Sequence, residues 1–226
     1  MKPEIIRTVT LAEDGAHFIA DCATQSIDDY GHFRLCLSGG NTPRAVYAAL
    51  ALLDCDWSKW IVTFGDERCV PPDDPQSNYR MASEAFLLVT TPGELLRIHG
   101  EHPPEEAALE YENILQQVAM RFGEERYRHD LILLGLGEDG HTASLFPGTK
   151  ALSETRRSVV ANFVPKFNGY RITTTYPLIN AARKVAFLVN DPKKAHIIEG
   201  VLQRDPAYPA SGVQPAMGAL LWFIGK

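Results

Sequence analysis

Asp139 and His141 stand two residues apart in the stretch Gly135-Leu136-Gly137-Glu138-Asp139-Gly140-His141-Thr142-Ala143. A carboxylate beside an imidazole raises the ring's proton affinity and holds one tautomer. Such a pair can take a proton and then return it. A histidine alone in a loop is ordinarily plain polar surface, and the neighbouring acid is what marks this one. No serine or cysteine accompanies the pair in a nucleophile-elbow pattern, so water is the expected nucleophile. His99 and His102 are three apart, but the sequence offers them no companion ligand cluster. There is also no H-E-x-x-H, so no metal is expected.

Residues 135 to 140 also match G-x-G-x-x-G, the dinucleotide pattern. That pattern has meaning only between a strand and a long helix, with an acid about 20 residues further on. The strand is there, as the apolar run Leu131–Leu134. The helix is not, because Pro147 and Gly148 stop one after little more than a turn. A nucleotide site is therefore rejected. What remains is a glycine-rich loop at the carboxyl end of a buried strand, where open α/β sheets place their ligands.

Other strand ends carry polar residues of the right kind to face the same crevice. Leu37-Ser38-Gly39-Gly40-Asn41-Thr42-Pro43 joins a strand to a helix, with Pro43 in the first helical turn. Free backbone N–H groups at such a start attract an anion, and glycines let it approach. A plain turn capped by Asn41 or Thr42 explains the same residues equally well. It is not a Walker loop, since no G-K-[ST] follows. Gly65-Asp66-Glu67-Arg68 follows the strand expected over Trp60–Phe64, and an Arg fixed by carboxylates can clamp an oxygen. Charged runs are usually solvated loops, so only the strand-end position favours the functional reading here. Lys166 and Arg171 flank a short Phe-Asn-Gly turn; on their own they read as surface cations. Lys193 and Lys194 open a helix, where a cation opposes the dipole unless an anion offsets it.

These residues are expected on alternating elements. Strands are expected over Arg34–Leu37, Trp60–Phe64, Leu131–Leu134, Ser158–Phe163, Arg171–Thr174, Val185–Val189 and Ala219–Phe223. Helices are expected over Pro43–Leu53, Ser77–Leu88, Pro103–Phe122 and Lys193–Leu202. The alternation argues for an α/β fold with a mainly parallel, Rossmann-like sheet and helices on both faces. Arg171–Thr174 is the candidate for a small antiparallel accessory sheet. No linker or repeat is visible, so residues 1–226 are expected to form one domain.

Composition narrows the class further. The 226 residues are 45% hydrophobic and 22% charged, which suits a globular chain able to bury a sizeable core. A net charge of −6 with no basic run argues against nucleic acid. Cys22, Cys36, Cys55 and Cys69 show neither C-x-x-C pairing nor zinc spacing, and no signal peptide or long apolar run is visible. Buried reduced thiols in a cytoplasmic protein, without a membrane partner, are expected.

Taken in order, these segments resemble the 6-phosphogluconolactonase family over nearly the whole chain. Leu37 to Arg44 is similar to its first signature. Gly65-Asp66-Glu67-Arg68 with Val70-Pro71 and Ser77-Asn78-Tyr79 is similar to its second. Gly135 to Ser144 with Phe146-Pro147-Gly148 is similar to its third and most specific. Pro165-Lys166, Arg171-Ile172-Thr173, Asn180-Ala181-Ala182-Arg183, Val213-Gln214-Pro215 and Trp222-Phe223 follow. Asn41 departs from the pattern, where many relatives carry Ser; Asn still caps a helix. The resemblance implies a fold shared with glucosamine-6-phosphate deaminases, ribose-5-phosphate isomerases and CoA-transferase-like proteins. It implies hydrolysis of 6-phospho-D-glucono-1,5-lactone in the oxidative pentose phosphate pathway, with neither metal nor organic cofactor. His141 and Asp139 are then the catalytic pair. The substrate would meet Ser38, Gly39, Gly40, Thr42, Asp66, Glu67, Arg68, Lys166, Arg171 and Lys194. Lys194 and Arg68 are expected at the phosphate, and Arg171 or Lys166 at the oxyanion. A monomer is expected rather than an obligate oligomer. The rival readings are an amino-sugar phosphate deaminase or isomerase, which shares the D-G-H loop, and a non-catalytic phosphosugar sensor.

Overall fold

The computed structural model describes residues 3–226. The chain begins with strand β1 (Glu4–Thr8) and the 20-residue helix α1 (Leu11–Tyr30), both outside the elements expected from the sequence. The stripe that α1 buries is Leu11, Gly15, Ala16, Ile19, Cys22, Ala23 and Ser26. Its spacing is helical, but small and polar residues dilute the apolar contrast that periodicity depends on. Gly15 lets α1 approach its neighbour closely: a Cβ there would lie 3.2 Å from Val46 Cγ2. The helix stops at Gly31, which takes the left-handed conformation (φ 77°) and donates its N–H to Ile27 O.

Next come β2 (Phe33–Leu37), α2 (Asn41–Leu50), β3 (Trp60–Phe64) and the short β4 (Asp66–Arg68). Helix α2 starts two residues earlier and ends three residues sooner than expected from the sequence. The expected Ser77–Leu88 helix is interrupted. Ser77 caps α3 (Asn78–Ala82), a wide π turn occupies Ser83–Leu87, and α4 (Leu88–Thr90) finishes it. The two-residue β5 (Glu94–Leu95), α5 (Pro104–Arg121) and β6 (Leu131–Leu134) follow. The remainder is β7 (Val159–Val164), β8 (Gly169–Thr174), α6 (Tyr176–Ile179), β9 (Lys184–Val189), α7 (Ala195–Leu202) and β10 (Ala219–Gly225).

Seven strands form one sheet in the order β1-β10-β9-β6-β2-β3-β5. Every pairing in it is parallel. Residues of β2, β3 and β6 are buried throughout, because helices cover both faces. Side chains from α1, α2 and α5 pack on one face and those from α7 on the other, while α6 sends Leu178 to the first core and Ile179 to the second. On the second face Phe187 and Trp222 stack with ring centroids 4.1 Å apart.

From β2 the chain moves outward to β3, and from β6 it moves the other way to β9. The seam between β2 and β6 is therefore a switch point, and the loops that leave these two strands border one crevice. The accessory sheet is antiparallel, in the order β4-β8-β7. Gly65 hands the chain from one sheet to the other. Its N–H donates to Leu37 O in the main sheet, and its carbonyl accepts from Thr174 N, both at 2.8 Å. No described helix is long and apolar enough to cross a membrane.

Candidate active site

The loop after β6 folds on itself before it meets anything else. Gly137 N donates to His141 O at 2.9 Å, and Gly140 N donates to Gly137 O at 3.1 Å. Gly140 adopts φ 72°, a conformation that glycine takes without strain. Asp139 sits at the tip. Its Oδ1 accepts from the backbone N of His141 at 3.3 Å and from the His141 ring Nδ1. Its Oδ2 accepts from Lys166 Nζ at 3.1 Å. With Nδ1 donating to the carboxylate, Nε2 is left as the basic ring nitrogen. Phe146 stacks on the imidazole at 4.0 Å and fixes the plane of the ring.

Burial opposes ionisation of Asp139, but the hydrogen bonds and charge of His141 and the Lys166 ammonium outweigh it. Together they bring the carboxyl from 3.8 down to about 2. Its contribution to stability is therefore present above about pH 4 and is lost as pH falls toward 2. The stability gap between the wild type and Asp139→Asn should shrink over that window in urea titrations. A gap independent of pH would show that the ion pair is not what holds the loop.

The loop is then tied to the accessory sheet. Ser144 Oγ donates to Asp66 Oδ2 at 2.6 Å, and Ser144 N donates to Thr173 Oγ1 at 3.1 Å. Asp66 also receives Asn78 Nδ2, at 2.9 Å on its carbonyl and 3.1 Å on Oδ1. Asn78 in turn lies against the glycine turn after β2. A Cβ on Gly39 would come within 2.0 Å of Asn78 Oδ1, so only glycine fits there.

A cavity of about 250 Å³ opens between these loops. Ser38, Gly39 and Gly40 form one wall, Gly135 to Gly137 and His141 to Ser144 another, and Asp66, Arg68 and Arg171 a third. Phe146 and Phe167 close it. Arg68 and Arg171 are directly opposite partners in the β4–β8 pairing. Facing like charges destabilise a strand pair unless an anion lies between them. Arg171 also lies over the Phe167 ring, 5.0 Å from its centroid. Burial and the neighbouring Arg68 charge both pull its pKa down. An acid–base dyad, backbone amides at a helix start and two opposed cations thus surround one small polar space. Such a space suits an anionic sugar-sized ligand and proton transfer at a carbonyl.

The family of glucosamine-6-phosphate isomerases/6-phosphogluconolactonase matches residues 7–222. This chain belongs to that family.

The chain is 42% identical over 210 residues to a 6-phosphogluconolactonase from Synechocystis sp., covering 90% of this chain and 86% of that protein. It is 36% identical over 222 residues to one from Rattus norvegicus, covering 93% and 85%. Among solved structures, the 6-phosphogluconolactonase of Thermotoga maritima superposes with a TM-score of 0.87 at 26% identity, over 100% of both chains. That of Trypanosoma brucei gives 0.86 at 26% identity, over 100% of this chain and 97% of its own.

Within the family frame, the residues expected at the substrate divide into two groups. Ser38, Gly39, Gly40, Asp66, Arg68, Arg171 and His141 all line the cavity. Glu67, Thr42, Lys166 and Lys194 do not. Glu67 is buried and points into the start of α3. Its Oε1 accepts from Arg68 N and Asn78 N at 2.8 Å each, and its Oε2 from Tyr79 N at 2.8 Å and Ser77 Oγ at 3.0 Å. Burial pushes its pKa up, although these bonds oppose that. Lys194 Nζ donates to Leu136 O at 2.6 Å and braces the dyad loop from behind. Lys166 is engaged with Asp139, and Thr42 lies in the first turn of α2. Asn78, Phe146 and Phe167 line the cavity without having been assigned a role from sequence. A signal existed for the first two, since both fall inside quoted signatures. Phe167 is legible from the sequence only as the first residue of the Phe-Asn-Gly turn between Lys166 and Arg171.

Proposed function

We propose that this chain hydrolyses 6-phospho-D-glucono-1,5-lactone to 6-phosphogluconate, the second step of the oxidative pentose phosphate pathway. The observation that carries the reading is the Asp139–His141 dyad facing the Gly39–Gly40 turn and the opposed Arg68 and Arg171 across one cavity. The named lactonases of Synechocystis and rat, aligned over most of both chains, support the same substrate. The cavity draws its walls from residue 38 to residue 171, which supports treating the whole chain as one functional domain.

His141 Nε2 takes a proton from water as the water oxygen bonds to the lactone carbonyl carbon. The carbonyl electrons move onto oxygen, and Arg171 offsets the charge that develops there. The intermediate collapses, the bond from that carbon to the ring oxygen breaks, and Nε2 returns its proton to the departing oxygen. Asp139 stays ionised and stabilises the imidazolium, while Lys166 steadies Asp139. The phosphate rests on the Gly39 and Gly40 amides with Arg68, and this remote anchor positions the reacting carbonyl.

The direct test is release of acid from freshly made lactone, at a rate above its spontaneous opening. Ammonia release from glucosamine 6-phosphate, without lactone turnover, would select the deaminase reading instead. Arg171→Gln should lower kcat by on the order of 10²-fold, as loss of one oxyanion donor does, with KM nearly unchanged. If KM alone rises, Arg171 belongs to the phosphate and not to the oxyanion.

A further inference from the structure

One cluster of ligating side chains lies outside the cleft. His99 and His102 stand on the loop between β5 and α5, and Glu110 stands on α5. His99 Nδ1 is 2.8 Å from Glu110 Oε1, and His102 Nδ1 is 3.0 Å from Glu110 Oε2. The ligand atoms of all three residues lie within 4.8 Å of one another. Sequence alone left the two histidines without a companion; the fold supplies a carboxylate.

We propose that His99, His102 and Glu110 form a surface site for a divalent transition metal ion of the zinc type. Two imidazole nitrogens and one carboxylate oxygen are a recurrent zinc donor set, completed by water in the fourth position. His102 is 47% exposed on its side chain, so solvent reaches that position. Zinc bonds of about 2.0–2.2 Å in a tetrahedron put donor atoms roughly 3.4 Å apart, close to the 2.8 and 3.0 Å that separate the two Nδ1 atoms from the Glu110 oxygens.

The backbone segments that carry the donors are held in place before any ion arrives. His102 N donates to His99 O at 3.1 Å and Gly100 N donates to Ile98 O at 3.0 Å, so the loop is a tight turn. Glu101, the carboxylate of the turn itself, is taken up by Arg97 through bonds of 2.6 and 2.9 Å and does not compete. Glu110 is fixed by its neighbour in sequence. The buried Tyr111 hydroxyl accepts from Phe64 N at 2.8 Å and donates to Phe64 O at 3.1 Å, which pins this part of α5 to β3. The turn also presses on the strand that carries Arg68: a Cβ on Gly100 would lie 2.2 Å from Arg68 O. An ion that clamps the turn therefore stiffens the backbone behind the cleft without touching the reacting atoms.

The test is titration of the intact protein with Zn²⁺ by calorimetry, and with Co²⁺ by visible absorption. One equivalent should bind, with the intense d–d bands of tetrahedral cobalt. His102→Gln and the double variant His99→Gln/His102→Gln should weaken it by at least about tenfold, the lower end for loss of even an outer-shell partner. His141→Asn should retain it, which separates this site from the dyad. His102→Gln loses one surface hydrogen bond and an edge contact with the His99 ring, and circular dichroism verifies that it is folded. Equal affinity in the double variant would overturn the assignment, as would loss of the bound equivalent in His141→Asn.

Discussion

Replacing His141 by Asn is expected to lower kcat by on the order of 10² to 10⁴, the usual worth of a positioned acid–base group. That is about 3 to 5 kcal/mol of barrier. Asn keeps much of the side-chain volume and an amide that can still reach Asp139. It has no basic nitrogen for water and no proton to hand to the ring oxygen. The Gly39–Gly40 turn and both arginines remain, so KM should change little. The assay must subtract spontaneous opening of the lactone, which sets the floor. A turnover number near that of the wild type would remove His141 from the mechanism, and with it the role given to Asp139.

Gly137→Ala is expected to cost about as much at the lower end, on the order of 10²-fold in kcat, although residue 137 carries no chemistry. A Cβ at that position would lie 2.0 Å from His141 Nδ1, 2.1 Å from Cε1 and 2.9 Å from Asp139 Oδ1. The ring cannot slide away in its own plane without leaving the face of Phe146. It must rotate, and rotation breaks the bond that orders its tautomer. Gly135→Ala is the control. The nearest atom to its Cβ is Gly39 O at 3.9 Å, an ordinary contact. Neither glycine has a positive φ, so backbone strain does not separate the two variants. In the His141→Asn background, Gly137→Ala should add little, because both changes disable one unit. Full activity in Gly137→Ala would mean that the dyad geometry does not limit the reaction.

Some elements were legible because burial on both faces writes a continuous apolar run. Leu131–Leu134 is such a run, and Trp60–Phe64 is broken only by Thr63; the folded strands have those bounds. The Pro103–Phe122 pattern folds as Pro104–Arg121, with Glu105 and Glu106 in its first turn and Arg121 in its last. Helix α1 was not legible, since alanine, glycine, cysteine and serine make up most of its buried stripe. Asp66-Glu67-Arg68 reads as a charged loop, yet it is a strand. Its membership depends on backbone pairing with β8, and side-chain polarity does not report that.

The division at the site follows the same physical line. Sequence alone determined the strand, the glycine loop and the Asp139–His141 pair, because two residues of spacing close a hydrogen bond inside one turn. It also placed the Gly39–Gly40 turn at a strand end. The partners of every cation were decided only in three dimensions. Lys166 turned to Asp139, Lys194 to the Leu136 carbonyl, and Arg68 came to face Arg171. Glu67 left the substrate side to hold α3, and Glu110 reached His99 and His102 from a helix. Long side chains are placed by sheet register and helix packing, which no local spacing encodes.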